Sequence, residues 1–440
     1  MKPSLAVPFL CLFSVVHAVT GAAAEAPHRT APAPAPLSAN AAGPLTLREA
    51  AERALSNNPA LAAAGYDLRA AEARQLQAGL RPNPVVGLDM EDVLGSGEYR
   101  SWKSAQTTLQ VSQLFELGGK REARSAVAGA GRERMLREAE MARVEVLGAV
   151  AEQFIRVVEA QEMTGISRDA TRLAKETLET ARKRVAAAKS SALEQKRAQI
   201  LLARAELEQS RAEQELLTAR YQLAAMWGGE RAMFSEAKAD LFTRPPLPEF
   251  GELASRIARS PALARWATEK FLRDAEVKLA DARRRPDVTL SGGLRHFAGP
   301  DEVGLVFGFS VPLPFSDRQQ GARAETRALR DKADVEQLVT EQRLRAALFG
   351  MAQELLQAGS ELGALERTIL PEAEAALVLA REGMDLARFS QLELLDAQRT
   401  LLELRRERVV AAATYHRFVV EIEKLLGEPL MPESVQISKP

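Results

Sequence analysis

Two hydrophobic rhythms run along this chain, one with a period of two and one that alternates between four and three. Val303, Leu305, Phe307, Phe309 and Val311 alternate with Gly304, Val306, Gly308 and Ser310, and Ala105, Thr107, Leu109 and Val111 alternate with Gln106, Thr108, Gln110 and Ser112. Two weaker runs have the same form: Val86, Leu88 and Met90 against Gly87, Asp89 and Glu91, and Val288, Leu290 and Leu294 against Thr289, Ser291 and Arg295. A greasy face opposite a small or polar one predicts four strands. Pro84, Pro286, Pro312 and Pro314 fall at their ends, where a missing donor does least harm. The second rhythm is Leu344, Leu348, Met351, Leu355, Ala358, Leu362, Leu365 and Ile369, a coiled-coil seam. It belongs to a predicted helix of about 70 residues, on the order of 105 Å long, which needs lateral partners along its whole length. Pro371 lacks an amide donor within that helix and predicts a kink or restart.

The chain is also written twice. Asn58-Pro59-Ala60-Leu61 recurs as Ser260-Pro261-Ala262-Leu263, Arg81-Pro82 as Arg285-Pro286, Ser191-Ala192-Leu193-Glu194 as Ser390-Gln391-Leu392-Glu393, and Trp227-Gly228 as Leu426-Gly427, at offsets of 202, 204, 199 and 199. Four matches in one order at a nearly constant offset mark a duplication. The first unit runs over 45–228, with strands about 84–94 and 104–115 and a turn near 190; the second runs over 250–427, with strands about 287–297 and 303–313 and a turn near 389. Each unit is expected to hold a helix of about 36 residues, two strands, the long helix, a turn and a second helix of about 36. A linker at 229–249 contains Arg244-Pro245-Pro246-Leu247-Pro248, and 428–440 form a tail. Both turns read as capping boxes, with Ser191 or Ser390 as the cap and Glu194 or Glu393 bonding back. Two long helical hairpins result, with their tips together at the end farthest from the strands.

Residues 1–24 begin with Lys2, run through an apolar stretch from Leu5 to Val16 and reach small residues at Ala18 and at Ala22-Ala23-Ala24, the pattern of a secretory signal cleaved after Ala18 or Ala24. The one cysteine, Cys11, lies inside that stretch without a small residue before it, so the mature chain is expected to carry neither cysteine nor lipid anchor. Ala/Pro-rich residues 25–44 read as an extended lead-in. With 59 Lys plus Arg against 59 Asp plus Glu, the chain has no basic excess for a nucleic acid, and cleavage after Ala24 leaves a net charge of −1. At 5% aromatic and 46% hydrophobic residues, the composition is that of long helices. No HExxH or P-loop occurs, neither Gly95-x-Gly97 nor Gly129-x-Gly131 gains a third glycine, and His28, His296 and His416 are scattered singly, so no enzyme, cofactor or resident metal is expected.

A soluble sheet on helices would show the same period of two. Export, strand lengths near those of a membrane strand, and aromatic Tyr99, Trp102 and Phe297 at one end against Phe115 and Phe315 at the other favour a membrane barrel. Four strands cannot close in lipid, because unpaired edges there are too costly, so the chain must oligomerise. Two copies give eight strands with a filled interior and three give twelve with a channel.

The whole plan resembles the TolC family of outer-membrane efflux proteins over about Leu45 to Gly427, with Phe389-Ser-Gln-Leu-Glu-Leu-Leu-Asp-Ala-Gln398 looking like its second tip turn. Glu116-Leu-Gly-Gly-Lys-Arg121 and Ser310-Val-Pro-Leu-Pro-Phe-Ser-Asp-Arg318 look like its CzcC-like branch. The resemblance implies a mainly α chain with a membrane β-barrel portion: a homotrimer with a twelve-stranded barrel, four strands per protomer, and a tunnel of helical hairpins in the periplasm. It further implies a periplasmic membrane-fusion adaptor, an inner-membrane proton-driven pump of the resistance-nodulation-division (RND) type, outer-membrane lipid around the barrel, and export of ions such as cobalt, zinc and cadmium. Ala187, Ala188, Ser191, Leu193, Phe389, Ser390 and Leu392 are the expected docking tips. Glu393 and Asp396 share a face of the new helix and match the family's acidic constriction, where threefold repetition would raise the apparent pKa of the ring. Capping and the helix dipole account for the two acids equally simply. The rival readings are a soluble periplasmic coiled-coil scaffold and the same duct serving organic toxicants.

Overall fold

The computed structural model describes residues 43–244, 248–386 and 388–430; the signal segment, nearly all of the lead-in and Pro245 to Leu247 of the linker lie outside them, as does the tail beyond Leu430. The first unit consists of α1 (Leu47–Asn57), α2 (Pro59–Ala78), β1 (Val85–Glu91), β2 (Gln106–Phe115), α3 (Lys120–Ala186) and α4 (Ala192–Ala225). The second has α5 (Phe250–Arg256), α6 (Pro261–Ala282), β3 (Val288–Phe297), β4 (Glu302–Ser310), α7 (Gln320–Ala364), a π-helical turn (Leu365–Ile369), α8 (Leu370–Asp385) and α9 (Gln391–Leu426).

The first helix of each unit is not continuous over about 36 residues, because proline stops it. Asn58 and Ser260 end one segment and cap the next, each with proline following at the first helical position. Asn58 Oδ1 accepts from the Ala60 amide at 2.8 Å, while its Nδ2 donates to the Met226 carbonyl at 2.7 Å, tying the start of the unit to its last helix. Pro261 makes the equivalent closure against Gly427, which has φ +73°; a Cβ there would come within 2.3 Å of the proline ring, so only glycine fits.

At 67 residues α3 is about 100 Å long and lies against α4, α2, α6 and α9. Small side chains let α3 and α4 approach: Ala181 and Ala198 are buried between them, and the Thr164 and Thr171 hydroxyls donate to the Ala212 and Ala205 carbonyls. The largest core lies midway, where α1, α3, α4, α7 and α9 meet the linker through Val150, Phe154, Val157, Leu223, Leu362 and Ala412. The linker is pinned there. Ala237 pairs with Leu45 in a parallel bridge, and Gln161 both donates to and accepts from the Ala237 backbone, at 3.0 and 2.7 Å.

The seam of α7 runs buried or partly buried from Leu344 to Leu365 and then departs from its expected course: Ile369 is 41% exposed and Leu370 takes its place. The π turn is the cause. It spends one extra residue per turn, so the buried series resumes at Leu370, Ala373, Leu377, Ala380 and Met384 in the same three-four rhythm, and Pro371 sits just after it, where α8 restarts. Arg244, at the end of the described linker, donates to the Gly359 carbonyl at 2.9 Å and to Glu366 at 3.1 Å, fastening the turn from outside.

All four strands form one antiparallel sheet in the order β1-β2-β3-β4, leaving β1 and β4 with open edges. Register aligns Leu88, Leu109, Leu294 and Leu305 in one row, with Val86, Val111 and Phe307 in the next. This face is exposed, Phe307 by 82%. Phe297 does not share it: paired with Gln106 and Glu302, it lies on the polar face with Arg295, because an odd position in β3 faces away from Leu290 and Leu294.

The insertion account predicts opposite effects of two single-residue deletions. Removing Thr368 together with Pro371→Ala should straighten the helix, keep Leu370 on the seam and leave the oligomer's yield unchanged. Removing Gln353, where no extra residue exists to absorb the loss, should rotate Leu355 through Leu365 off the seam and abolish the folded oligomer by size-exclusion chromatography.

Candidate functional site

The polar face of the sheet carries a network assembled from three strands. Arg295 of β3 donates to Thr108 Oγ1 at 2.9 Å and Gln106 Oε1 at 3.0 Å on β2, and pairs with Glu91 of β1 at 3.1 Å. Gln110 bonds Asp89 and Gln106 bonds Asp92, each at 2.8 Å. Glycine occupies this face beside them at Gly87, Gly293, Gly304 and Gly308, so the interior is open and hydrophilic. Sequence reasoning placed Arg295 on the polar face but missed its partners, which only cross-strand register reveals.

At the opposite end the two tips are built alike but not identically. After α3 the chain turns through Ala187 and Ala188, the latter with φ 54°; the Ala188 amide bonds the Val185 carbonyl and the Lys189 amide bonds the Arg184 carbonyl. After α8 the Arg388 amide bonds the Gly383 carbonyl in the matching place. Ser390 and Glu393 form a reciprocal capping box, with the Ser390 amide donating to the Glu393 carboxylate at 2.6 Å. The first tip departs from that expectation. Ser191 caps Glu194, but the Glu194 carboxylate is taken by the neighbouring Ser190 hydroxyl, so the return bond is not made.

The expected docking residues divide by what they touch. Ser191 and Ser390 cap helices, and Phe389 packs on Gly383, where a Cβ would meet its ring at 2.1 Å. Leu193 and Leu392 are 59% and 66% exposed, in equivalent positions, and Ala187 and Ala188 are exposed beside the first of them. Below the tips a groove between the hairpins is lined by Thr177 and Thr180 of α3 and by Met384 and Gln391 of the second hairpin.

Glu393 and Asp396 lie exposed on the first turns of α9, and Arg197 stands in the first unit where Asp396 stands in the second, so the acid pair belongs to one tip only. The Ser390 backbone bond, followed by its hydroxyl, holds the Glu393 carboxyl below its ordinary 4.5. Within the protomer the cap therefore opposes the upward shift expected of a ring. A depressed carboxyl stabilises the cap above its ordinary pKa, and that contribution is lost as pH falls through the lowered value. Asp396 has no hydrogen bond among the described residues and adds its field to Arg399, which pairs with Glu403 at 2.8 Å.

His28 lies outside the described residues, and the other two histidines singled out in the sequence each meet one ordinary partner. His416 bonds the Leu241 carbonyl at 3.0 Å in the mid-height core, where burial lowers its pKa, and His296 meets Asp301 at 3.1 Å. Among the described residues no group of three or more His, Cys, Asp or Glu is placed to hold a metal ion.

A sheet with one apolar and one hydrophilic face, two open edges and paired helical hairpins about 100 Å long is one protomer of an oligomeric barrel-and-tunnel duct. Residues 50–229 and 253–428 each match the outer membrane efflux protein family, one block per repeat, and the chain belongs to that family. It is 33% identical over 390 residues to the cobalt-zinc-cadmium resistance protein CzcC of Cupriavidus metallidurans, covering 88% of this chain and 91% of that one. A crystal structure of a membrane protein from Pseudomonas aeruginosa superposes with a TM-score of 0.73 at 20% identity, covering 87% of this chain and 90% of that one. The outer membrane protein VceC from Vibrio cholerae gives a TM-score of 0.69 at 19% identity over 88% and 97%. Three protomers thus form a twelve-stranded outer-membrane barrel above a helical tunnel, and the chain is a transport duct rather than an enzyme.

In that barrel the Arg295 network faces the lumen. One charge at about 10 Å in water is worth roughly 0.4 kcal/mol, about a twofold change in local ion concentration, so Arg295→Gln should raise the cation-to-anion permeability ratio, read from the reversal potential in planar bilayers, by at least that factor. An unchanged reversal potential would show that Arg295 only braces the sheet.

Proposed function

We propose that this chain is the outer-membrane duct of a tripartite pump that exports divalent heavy-metal ions, docked through its hairpin tips to a periplasmic adaptor and driven by an inner-membrane proton-coupled RND pump. The observation that carries the metal assignment is the likeness to a cobalt-zinc-cadmium resistance protein over 88% of the chain. The ions pass as solvated species and need no resident ligands. Growth of a deletion strain on graded cobalt, zinc and cadmium, rescued by this chain, tests it; sensitivity to an organic toxicant alone would assign the duct to another pump.

The adaptor contacts are Ala187, Ala188, Leu193 and Leu392, with Ser191, Ser390 and Phe389 shaping the turns that present them. Exposed leucines at equivalent points of two helical turns suit a helical-hairpin partner. Leu193→Glu with Leu392→Glu should abolish metal resistance and leave the trimer intact, whereas loss of the trimer would make both residues structural.

Glu393 and Asp396 form the acidic constriction of the idle duct. Threefold symmetry repeats both acids around the axis, where they admit cations and repel anions. Glu393→Gln keeps a capping acceptor, so Glu393→Gln with Asp396→Asn isolates charge from fold. The double variant should lose cation selectivity and block by multivalent cations in planar bilayers at unchanged trimer yield; retained selectivity and block would return both acids to capping and dipole roles.

A further inference from the structure

The two short motifs at the helix side of the sheet, Glu116 to Arg121 and Ser310 to Arg318, converge on one place that the duct and its gate leave unexplained. They enclose, with the end of α6, a concavity of about 510 Å³. Gly118 has φ +77°, and the stem of Arg285 lies over it so closely that a Cβ there would meet Arg285 Cδ at 2.7 Å. Lys120 closes the other side by pairing with Asp287 at 2.7 Å, and Asp287 also accepts from the Leu117 amide at 3.0 Å. The motif thus fixes where Arg285 stands.

The charge at this site is unbalanced. Arg283, Arg284, Arg285 and Arg318 all line the concavity and are exposed, and none forms an ion pair among the described residues; Asp287 is committed to Lys120, and Asp317, which accepts from the neutral Gln319 amide and side chain and keeps its charge, is the one carboxylate left to offset them there. Elsewhere along the helices arginines find carboxylates repeatedly, as Arg124 does with Glu116, Arg273 with Glu269 and Arg323 with Asp281. Beside these unpaired cations the same concavity presents Leu313 and Phe315, 66% and 76% exposed, directly after the apolar face of β4 ends. A free inorganic anion would use the guanidinium groups and gain nothing from the leucine and the phenylalanine.

We infer that this concavity is a binding site for an anionic glycerophospholipid of the leaflet on the helix side, its phosphate held by Arg284, Arg285 and Arg318 and its glycerol and upper acyl chain resting on Leu313 and Phe315. The site rests on the sheet lying in the outer membrane. Guanidinium forks match phosphate oxygens bidentately, and the strand ends set the boundary between hydrocarbon and water where such a headgroup sits. Because Arg285 lies on Gly118 and Arg318 follows β4, an occupied site would link the α6–β3 and β4–α7 connections at the barrel's base.

The test uses the delipidated full-length trimer in non-ionic detergent, titrated with dioleoylphosphatidylglycerol and read by native mass spectrometry. Up to three lipid adducts per trimer are expected, with weaker retention of dioleoylphosphatidylcholine and no displacement by equimolar inorganic phosphate. Arg284→Gln with Arg285→Gln and Arg318→Gln should reduce adducts at least tenfold at the same lipid concentration. Phe315→Ser, which leaves every charge in place, should reduce them as well and serves as the second arm if the triple variant yields no trimer. Unchanged adducts in either variant overturn the proposal, and so does displacement by phosphate, which would mark a free-anion site. Loss of trimer with lipid retention intact on the remaining assembled fraction would assign these cations to a subunit contact instead.

Discussion

Backbone hydrogen bonding at the edges of one sheet governs the rest of this molecule. β1 and β4 each leave an edge of amides and carbonyls with no neighbouring strand among the described residues. In hydrocarbon each such group costs several kcal/mol, so the sheet is stable in a membrane only when neighbouring copies complete it. Curving it into a shared barrel separates its faces: the row of Leu88, Leu109, Leu294 and Leu305 meets lipid, and the Arg295 network meets the lumen. The hydrophilic pore follows from closing the sheet edges.

The helices inherit that constraint through duplication. Each repeat supplies one strand pair and one hairpin, and the closures of Asn58 on Met226 and of Pro261 on Gly427 join the start of each unit to its end. The second hairpin departs from the first in the course of its long helix. Its π turn shifts the seam by one residue, and Arg244 of the linker grips it through Gly359 and Glu366. The same hairpin carries the acid pair, whereas the first has Arg197 in place of Asp396. Near-symmetry supplies the tunnel wall, and the π turn and the acid pair fall on the same hairpin.

Much of this was legible from residue order, because strands and seams announce themselves by period. The alternation from Val303 to Phe309 corresponds to one face of β4, and the seam from Leu344 to Leu362 to one face of α7. Ile369 was misplaced because a π turn has no composition of its own; Pro371 hinted at a break without telling how many residues it would consume. The break before Pro59 could have been read from the proline alone. At the first tip, Ser190 competes with the Ser191 amide for Glu194, and nothing in the spacing distinguishes the two donors. The partners of Arg295, and the meeting of Gly118 with Arg285, depend on register and packing between distant segments, which no local pattern encodes.

The account stands on closure of the sheet by copies of itself, and the number of copies is its most direct consequence. Native mass spectrometry of the purified protein released from detergent micelles should give a single assembly of three chains, twelve strands in all. A stable monomer or a dimer would mean that the edges of β1 and β4 are satisfied in some other way, and would contradict it.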